Sequence, residues 1–254
     1  MKRKACVVAG AILLAALQGG AAILQDWQMN DASGTGMAGL ANSAGTAAWN
    51  YSPGNAATDG NGMLHVSPGS QEWGISAALP SALTTGQYEL KYVVDSIDLS
   101  GDSATDNSGI NFGLGDVTEM RLYSHGDFDG DGNPDLVLSI YDDQTAWSWG
   151  RGFSGLVLND PLTIRGIYDL DAGTIHVYTQ LGSEAEQDNG SFNIDTAGTA
   201  NSVFSRLLTG DWGANDYANI DSVTLTEVVP EPATLGMVGL IGGAIVFVRR
   251  RFMI

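Results

Sequence analysis

The chain has 254 residues and a formal net charge of −18, with one cysteine and 34 glycines. Six of its eleven basic residues sit at the extreme ends, so residues 23–229 keep five basic side chains against 28 acids, a net −23. A body this acidic repels nucleic acid and anionic lipid, and with its single cysteine, Cys6, near the N-terminus it contains neither a disulfide nor thiol chemistry.

Residues 1–22 read as a secretory signal peptide. Lys2, Arg3 and Lys4 form a positive start, Val7 to Leu17 is an apolar stretch too short to span a bilayer, and Gly20 and Ala22 are small residues before a cleavage point. Cys6 precedes the apolar stretch, so it is not a lipid-attachment cysteine.

Residues 23–229 read as one domain without a proline-rich linker or an internal repeat. Frequent Gly, Asp, Asn, Ser and Thr, and few Lys, Glu and Arg, predict short strands joined by turns. In "GQYELKYVVDSIDL" (86–99), Tyr88, Leu90, Tyr92 and Val94 alternate onto one face. Further strands are expected at 110–115, 119–124, 135–142 and 220–228. "LTIRGIYDLDAGTIHVYTQ" (162–180) reads as a hairpin turning at Asp171-Ala172-Gly173, with His176 facing solvent. "GSEAEQDNG" (182–190) reads as a loop. This pattern predicts an all-β sandwich or jelly roll.

The densest motif is "DFDGDGNPD" (127–135). Asp127, Asp129 and Asp131 hold loop positions 1, 3 and 5, Gly132 holds 6, the Asn133 carbonyl is at 7 and Asp135 is at 9. Carboxylates at alternate positions of a tight loop can wrap a calcium ion, which takes 6–8 oxygens. Position 12 is Leu138 rather than Glu, so the loop is not an EF-hand. The expected role of calcium is structural; without it, four crowded carboxylates are expected to raise one another's pKa. The alternative reading is a solvated acidic turn. D-x-D-x-D-G-x-x-D followed by a strand resembles the calcium loops of integrin-type β-propeller repeats and of secreted bacterial proteins.

Beyond this loop, "TAWSWGRGF" (145–153) offers Trp147, Trp149 and Arg151 as a candidate surface for stacking sugar rings, with packing of both tryptophans into the core as the alternative. Glu72, Glu89, Glu119, Glu184, Glu186 and Glu227 begin no pattern of paired carboxylates on one strand, as glycoside hydrolysis needs. There is no G-x-S-x-G, H-E-x-x-H, P-loop or dinucleotide fingerprint. The chain is therefore expected not to be an enzyme.

Two family resemblances follow. "LQDWQMNDASGTGMAGLANSAG" (24–45), the "YDLDAGTIHVY" hairpin and the final "IDSVTLTEV" strand resemble concanavalin A-like, laminin-G-like domains. That resemblance implies a jelly-roll sandwich and, in some members, glycoside hydrolysis. At the C-terminus, Pro230-Glu231-Pro232, an uncharged span over 233–248 and Arg249, Arg250 and Arg251 resemble the PEP-CTERM sorting signal of bacterial envelope proteins. The span is just short of the roughly 17–25 residues a membrane helix needs and its arginines suit the cytoplasmic side, so the tail reads as a short single-pass transmembrane anchor or a stop-transfer signal, with a buried core helix as the alternative. The resemblance implies an exosortase as processing partner and delivery to the envelope or extracellular matrix of a Gram-negative-type bacterium that makes extracellular polysaccharide. The expected function is a non-catalytic, calcium-stabilised sandwich contacting that polysaccharide. The alternatives are a purely structural surface protein and a divergent glycoside hydrolase.

Overall fold

A computed structural model describes residues 21–69, 72–101, 108–142, 146–208 and 212–228. The expected signal peptide (residues 1–20 of it) and the whole sorting segment, Pro230, Glu231, Pro232 and Arg249–Arg251 included, lie outside the described residues. Among the described residues no helix is long and apolar enough to cross a membrane.

Ile23–Glu227 form one compact unit. Its strands are β1 (Ala22–Trp27), β2 (Ala56–Thr58), β3 (Leu64–Val66), β4 (Glu72–Leu83), β5 (Gln87–Asp98), β6 (Gly109–Leu114), β7 (Glu119–His125) and β8 (Asp135–Asp142). There follow β9 (Ala146–Phe153), β10 (Val157–Leu158), β11 (Leu162–Asp169), β12 (Thr174–Leu181), β13 (Gln187–Asn193), β14 (Ala200–Leu208) and β15 (Tyr217–Val228). The only helical element among the described residues is a 3-10 turn at Met37–Gly39. The fold is an all-β sandwich of two sheets. One runs β13-β12-β11-β5-β15-β3-β2, with β1 on β15 and β10 on β5. The other runs β4-β14-β6-β7-β8-β9.

The alternation in the sequence sets the core. Leu90, Tyr92 and Val94 on β5, Leu162, Ile164 and Tyr168 on β11, and Ile175 and Val177 on β12 are all buried. They meet Phe112, Leu114, Met120, Leu122, Leu136, Leu138 and Ile140 of the second sheet in one hydrophobic cluster. Tyr92 stacks on Phe112 with ring centroids 4.3 Å apart, which joins the two sheets. Each such ring removes about 150–250 Å² of surface from water. The β11–β12 turn forms as its sequence requires: the Gly173 N–H donates to the Asp169 carbonyl at 2.9 Å, at a φ of +69°. The Asp169 side chain accepts the Ala172 N–H at 2.8 Å.

The segment read as a loop around "EQDNG" is in fact the edge strand β13. It carries few apolar residues because a cross-strand ion pair and polar side-chain contacts hold it to the sheet. Glu186, the residue just before it, pairs with Arg165 of β11 at 2.7 Å, and Asp188 meets His176 of β12 at 2.6 Å.

Candidate functional site

β6 and β8 in the six-stranded sheet are buried on both faces. Gly109–Leu114 and Asp135–Ile140 are buried without a break. On the inner face this is core. On the outer face, small residues (Gly109, Asn111 and Gly113 on β6, Val137 and Ser139 on β8) lie beneath larger neighbours from β7, β9 and β14. The Phe204 ring lies over Gly113, where an added Cβ would meet it at 2.3 Å. The Phe128 ring lies over Gly152 in the same way, at 2.2 Å.

The acidic loop joins β7 to β8. It is knit by its own carboxylates, which accept backbone N–H groups as Asx turns do. Asp127 accepts Gly130 at 2.6 Å and Gly132 at 2.9 Å. Asp129 accepts Asp131 at 3.0 Å, and Asp131 accepts Asn133 at 2.8 Å. Gly130 and Gly132 take φ of +85° and +91°, conformations that L side chains rarely adopt. Asp135 differs from the rest. It is 1% exposed, one oxygen accepting Phe128 and Asp129 N–H at 2.8 and 3.0 Å, the other accepting Gly155 N–H at 2.7 Å.

Asp135 corrects one expectation drawn from the sequence. Burial pushes its pKa up, but the N–H donors of Gly155, Phe128 and Asp129 outweigh burial and hold it below the usual carboxylate value. The preorganised backbone, and not mutual repulsion, sets its ionisation.

Asp127, Asp129 and Asp135 bring one carboxylate oxygen each within 4.8 Å of one another. Asp131 is outside this group and serves the loop backbone at Asn133. The three acids are an all-oxygen donor set of the kind hard cations take. Asp127 and Asp129 are exposed and Asp135 anchors the set from below. Bonded carboxylate oxygens keep further lone pairs, so the residues fit a calcium ion whose remaining ligands are carbonyls or water.

Beside the loop stands an aromatic surface. Trp149 is 47% exposed and Phe128 44% exposed. The Trp149 ring lies 4.7 Å from His125 and 5.9 Å from Phe128, and His125 lies 5.8 Å from Tyr123. The side chain of Trp147 lies outside the described residues.

Arg151 is placed away from this surface. Strict alternation would put Trp149 and Arg151 on one face. The β8–β9 register shifts between Leu138 and Ser139, so Trp149 pairs with outward Ser139 and Arg151 with inward Leu138. The extra residue is Gly150, and such a bulge turns the following side chains over. Arg151 then donates to Glu184 at 2.9 Å and to Thr179 at 3.3 Å, and lies 4.7 Å over the Phe153 ring.

Sequence reasoning missed the rest of the outer face. Glu119, Arg121 and Tyr123 alternate outward along β7, and Arg206 of β14 comes to 3.8 Å from Glu119. Asn111 donates to Glu119, and Arg121 lies 4.4 Å over the Tyr123 ring.

No family model matches the sequence, and no curated protein matches it. Among solved structures, the chain is similar to a mutant form of the GH43 protein BlXynB from Bacillus licheniformis. The identity is 9% and the TM-score 0.51, over 80% of this chain and 39% of that one. It is also similar to the VIP36 exoplasmic/lumenal domain in a Ca2+/Man2-bound form, at 12% identity and TM-score 0.49, over 78% and 88% of the chains. A third is the Lotus tetragonolobus seed lectin, at 13% identity and TM-score 0.47, over 71% and 93%. At these identities the likeness concerns the fold alone, a two-sheet β-sandwich.

Proposed function

We propose that the chain is an exported bacterial envelope protein whose sandwich, of the concanavalin A-like type, contacts extracellular polysaccharide without cleaving it. The observation that carries the binding half is the exposed Trp149 ring, braced by His125 and Phe128 on a sheet face beside an acidic loop. An aromatic ring this exposed keeps about half its apolar face in water, which a sugar ring can cover. Calcium at Asp127, Asp129 and Asp135 would fix the loop that carries Phe128, and so shape the surface. Its role there is structural.

The test is binding of the purified chain to a panel of bacterial and algal polysaccharides, in calcium and in EDTA, with Trp149→Ala alongside. Saturable binding, supported by calcium and weakened about tenfold or more by Trp149→Ala, is expected; truncating an aromatic that anchors an interface costs about 2 kcal/mol or more. A folded chain that binds nothing would favour a purely structural surface component. Release of reducing sugar, abolished by a single carboxylate substitution, would favour a divergent hydrolase.

The delivery half rests on the two ends of the sequence: a leader of signal-peptide form, and Pro230-Glu231-Pro232 followed by an apolar span and Arg249–Arg251. In this reading an exosortase-type enzyme processes the tail, which holds the protein at the membrane until then. Deleting residues 230–254 sends the protein freely into the medium. A truncated form that still fractionates with membranes would contradict the anchoring role.

A further inference from the structure

On the nine-stranded sheet, a cleft of about 330 Å³ opens at β2 and β3, walled by Ser33, Asn55, Asp59, His65 and Ser67. Ala57 pairs with His65 across the two strands, and its small side chain leaves the space that the cleft occupies. Leu64 and Val66, on either side of His65, are fully buried, so alternation turns His65 outward, away from the core and from the sheet that carries Trp149. Backbone and side-chain bonds hold the rim. The Gly34 N–H donates to the Thr58 carbonyl at 2.8 Å, the Thr58 N–H to the Thr35 carbonyl at 2.9 Å, and Asn55 Nδ2 to the Ser67 carbonyl at 2.8 Å. The cleft also lies in the least charged part of the chain. Residues 32–88 carry two acids, Asp59 and Glu72, and no Lys or Arg, whereas residues 89–229 carry 24 acids. Asp59 alone brings a full charge to the cleft.

The polarity of His65 is set from behind. Ser96 Oγ lies 3.3 Å from the Asp95 carboxylate, Asn219 Nδ2 lies 2.9 Å from Ser96 Oγ, and Asn219 Oδ1 lies 2.8 Å from His65 Nδ1. A carboxylate only accepts, so the Ser96 hydroxyl donates to Asp95 and accepts from Asn219. The Asn219 oxygen then faces His65, whose Nδ1 carries the hydrogen. In the neutral ring this leaves Nε2 as an acceptor, and no hydrogen-bond partner for it is found among the described residues. The imidazole stacks on Tyr217, with ring centroids 5.9 Å apart and planes at 28°. Asp59 spends one oxygen on the Asn61 and Met63 N–H groups, at 2.7 and 3.2 Å, and its other takes only a long bond from Asn61 Nδ2, at 3.3 Å. Ser67 Oγ donates to the Asn55 carbonyl at 3.3 Å and keeps its lone pairs. The cleft thus offers acceptors beside a pair of stacked rings. Sugar hydroxyls supply the matching donors, and the C–H face of a sugar ring covers an aromatic face. The volume suits a small ligand, at the lower end of the usual range of about 300–1,000 Å³.

We propose that the β2–β3 cleft is a second carbohydrate site, which takes a neutral sugar ring through its hydroxyls on the sheet opposite Trp149. The inference rests on the polysaccharide-binding reading for its ligand class, and it uses none of the residues of the Trp149 surface. With one site on the outer face of each sheet, a single chain holds two glycan strands at once. A repeating polymer is then bridged by the protein, because each strand offers many copies of the same weak contact.

The experiment uses the full chain and short neutral gluco-, galacto- and manno-oligosaccharides, with binding read by calorimetry. Trp149→Ala, which removes the first site, should still bind one of them. Adding His65→Ala should weaken that binding about tenfold, through loss of one hydrogen bond and the ring contact. His65→Gln, which keeps an acceptor, should weaken it less. His176→Gln, four strands away on the same sheet, should leave it unchanged. With the neutral polymer of the same sugar, light scattering should show large assemblies for the wild type and none for Trp149→Ala or His65→Ala alone. Melting temperatures check the folding of each variant; if His65→Ala unfolds, His65→Gln and the shift of the His65 imidazole NMR signals during wild-type titration decide. Loss of all binding in Trp149→Ala, or binding untouched by both His65 substitutions, overturns the second site while the polysaccharide reading stands. Tighter binding of amine-bearing chitosan oligosaccharides than of any neutral one overturns the ligand class, and absence of assemblies overturns the bridging. Binding kept in full by Trp149→Ala and lost in His65→Ala upholds the cleft and contradicts the Trp149 surface. A folded wild type that binds no glycan, in this set or in the wider panel, overturns both.

Discussion

Asp135→Ala is expected to lower the stability of the sandwich by about 3–5 kcal/mol, the largest effect of any single loop substitution. Asp135 is buried and accepts three backbone N–H bonds, from Phe128, Asp129 and Gly155. Bonds to a charged acceptor contribute about 1.5–3 kcal/mol each, and deletion also leaves the donors unsatisfied. Partial rescue by water brings the sum down to the stated range. Domains of this kind have about 5–15 kcal/mol in total, so the melting temperature should fall by about 10 °C. The pH dependence follows from the direction of the shift. The folded pKa is depressed, so the unfolded chain binds the proton more readily. The stabilisation is then fully present above the ordinary aspartate pKa of about 4, and is lost as pH falls through the lower folded value. Thermal unfolding between about pH 2 and 7 measures both. An Asp135→Asn variant with the wild-type stability and acid sensitivity would contradict the assignment.

The second large effect concerns calcium. Asp129→Asn keeps an oxygen to accept the turn N–H group of Asp131, whereas Asp127 holds Gly130 and Gly132 through both of its oxygens and is left in place. It removes one of the three charges gathered for a cation. The substitution therefore separates calcium binding from loop geometry, which alanine would not. Saturating calcium at about 100 times its Kd stabilises the wild type by about 2.7 kcal/mol, or roughly 5–10 °C in Tm. The variant should lose this increment and match the wild type in EDTA. Equal calcium responses in both proteins would mean that the loop is an acidic turn held by its own hydrogen bonds.

Much of the architecture was legible because half-buried antiparallel strands write a period of two. β5, the β11–β12 hairpin and β15 bury alternate residues, and each was readable on that ground. β4 and β13 were not. β4 contains Pro80 and lies at a sheet edge, where a missing N–H is tolerated. β13 is polar because an ion pair to β11 and a His176–Asp188 contact to β12 replace apolar burial. The acidic loop was legible as a motif, but not its division of labour: Asp135 is buried as an anchor while Asp131 serves the turn. The bulge at Gly150 separated Arg151 from Trp149, and a single inserted residue leaves no periodic trace long enough to read. Arg206, Asn111 and Arg121 could not be associated from sequence, because only the register of three strands far apart in the chain sets them in line.

The central claim is that the outer face of the six-stranded sheet, beside the acidic loop, takes up polysaccharide. Amide hydrogen exchange of the chain, with and without the tightest glycan of the panel in calcium, tests it most directly. Slowed exchange is expected in β7, in the 127–135 loop and in β9, with β11, β12 and β13 unchanged. Protection confined to the β11–β12–β13 face, or glycan binding that leaves Trp149 and the loop unprotected, would contradict it.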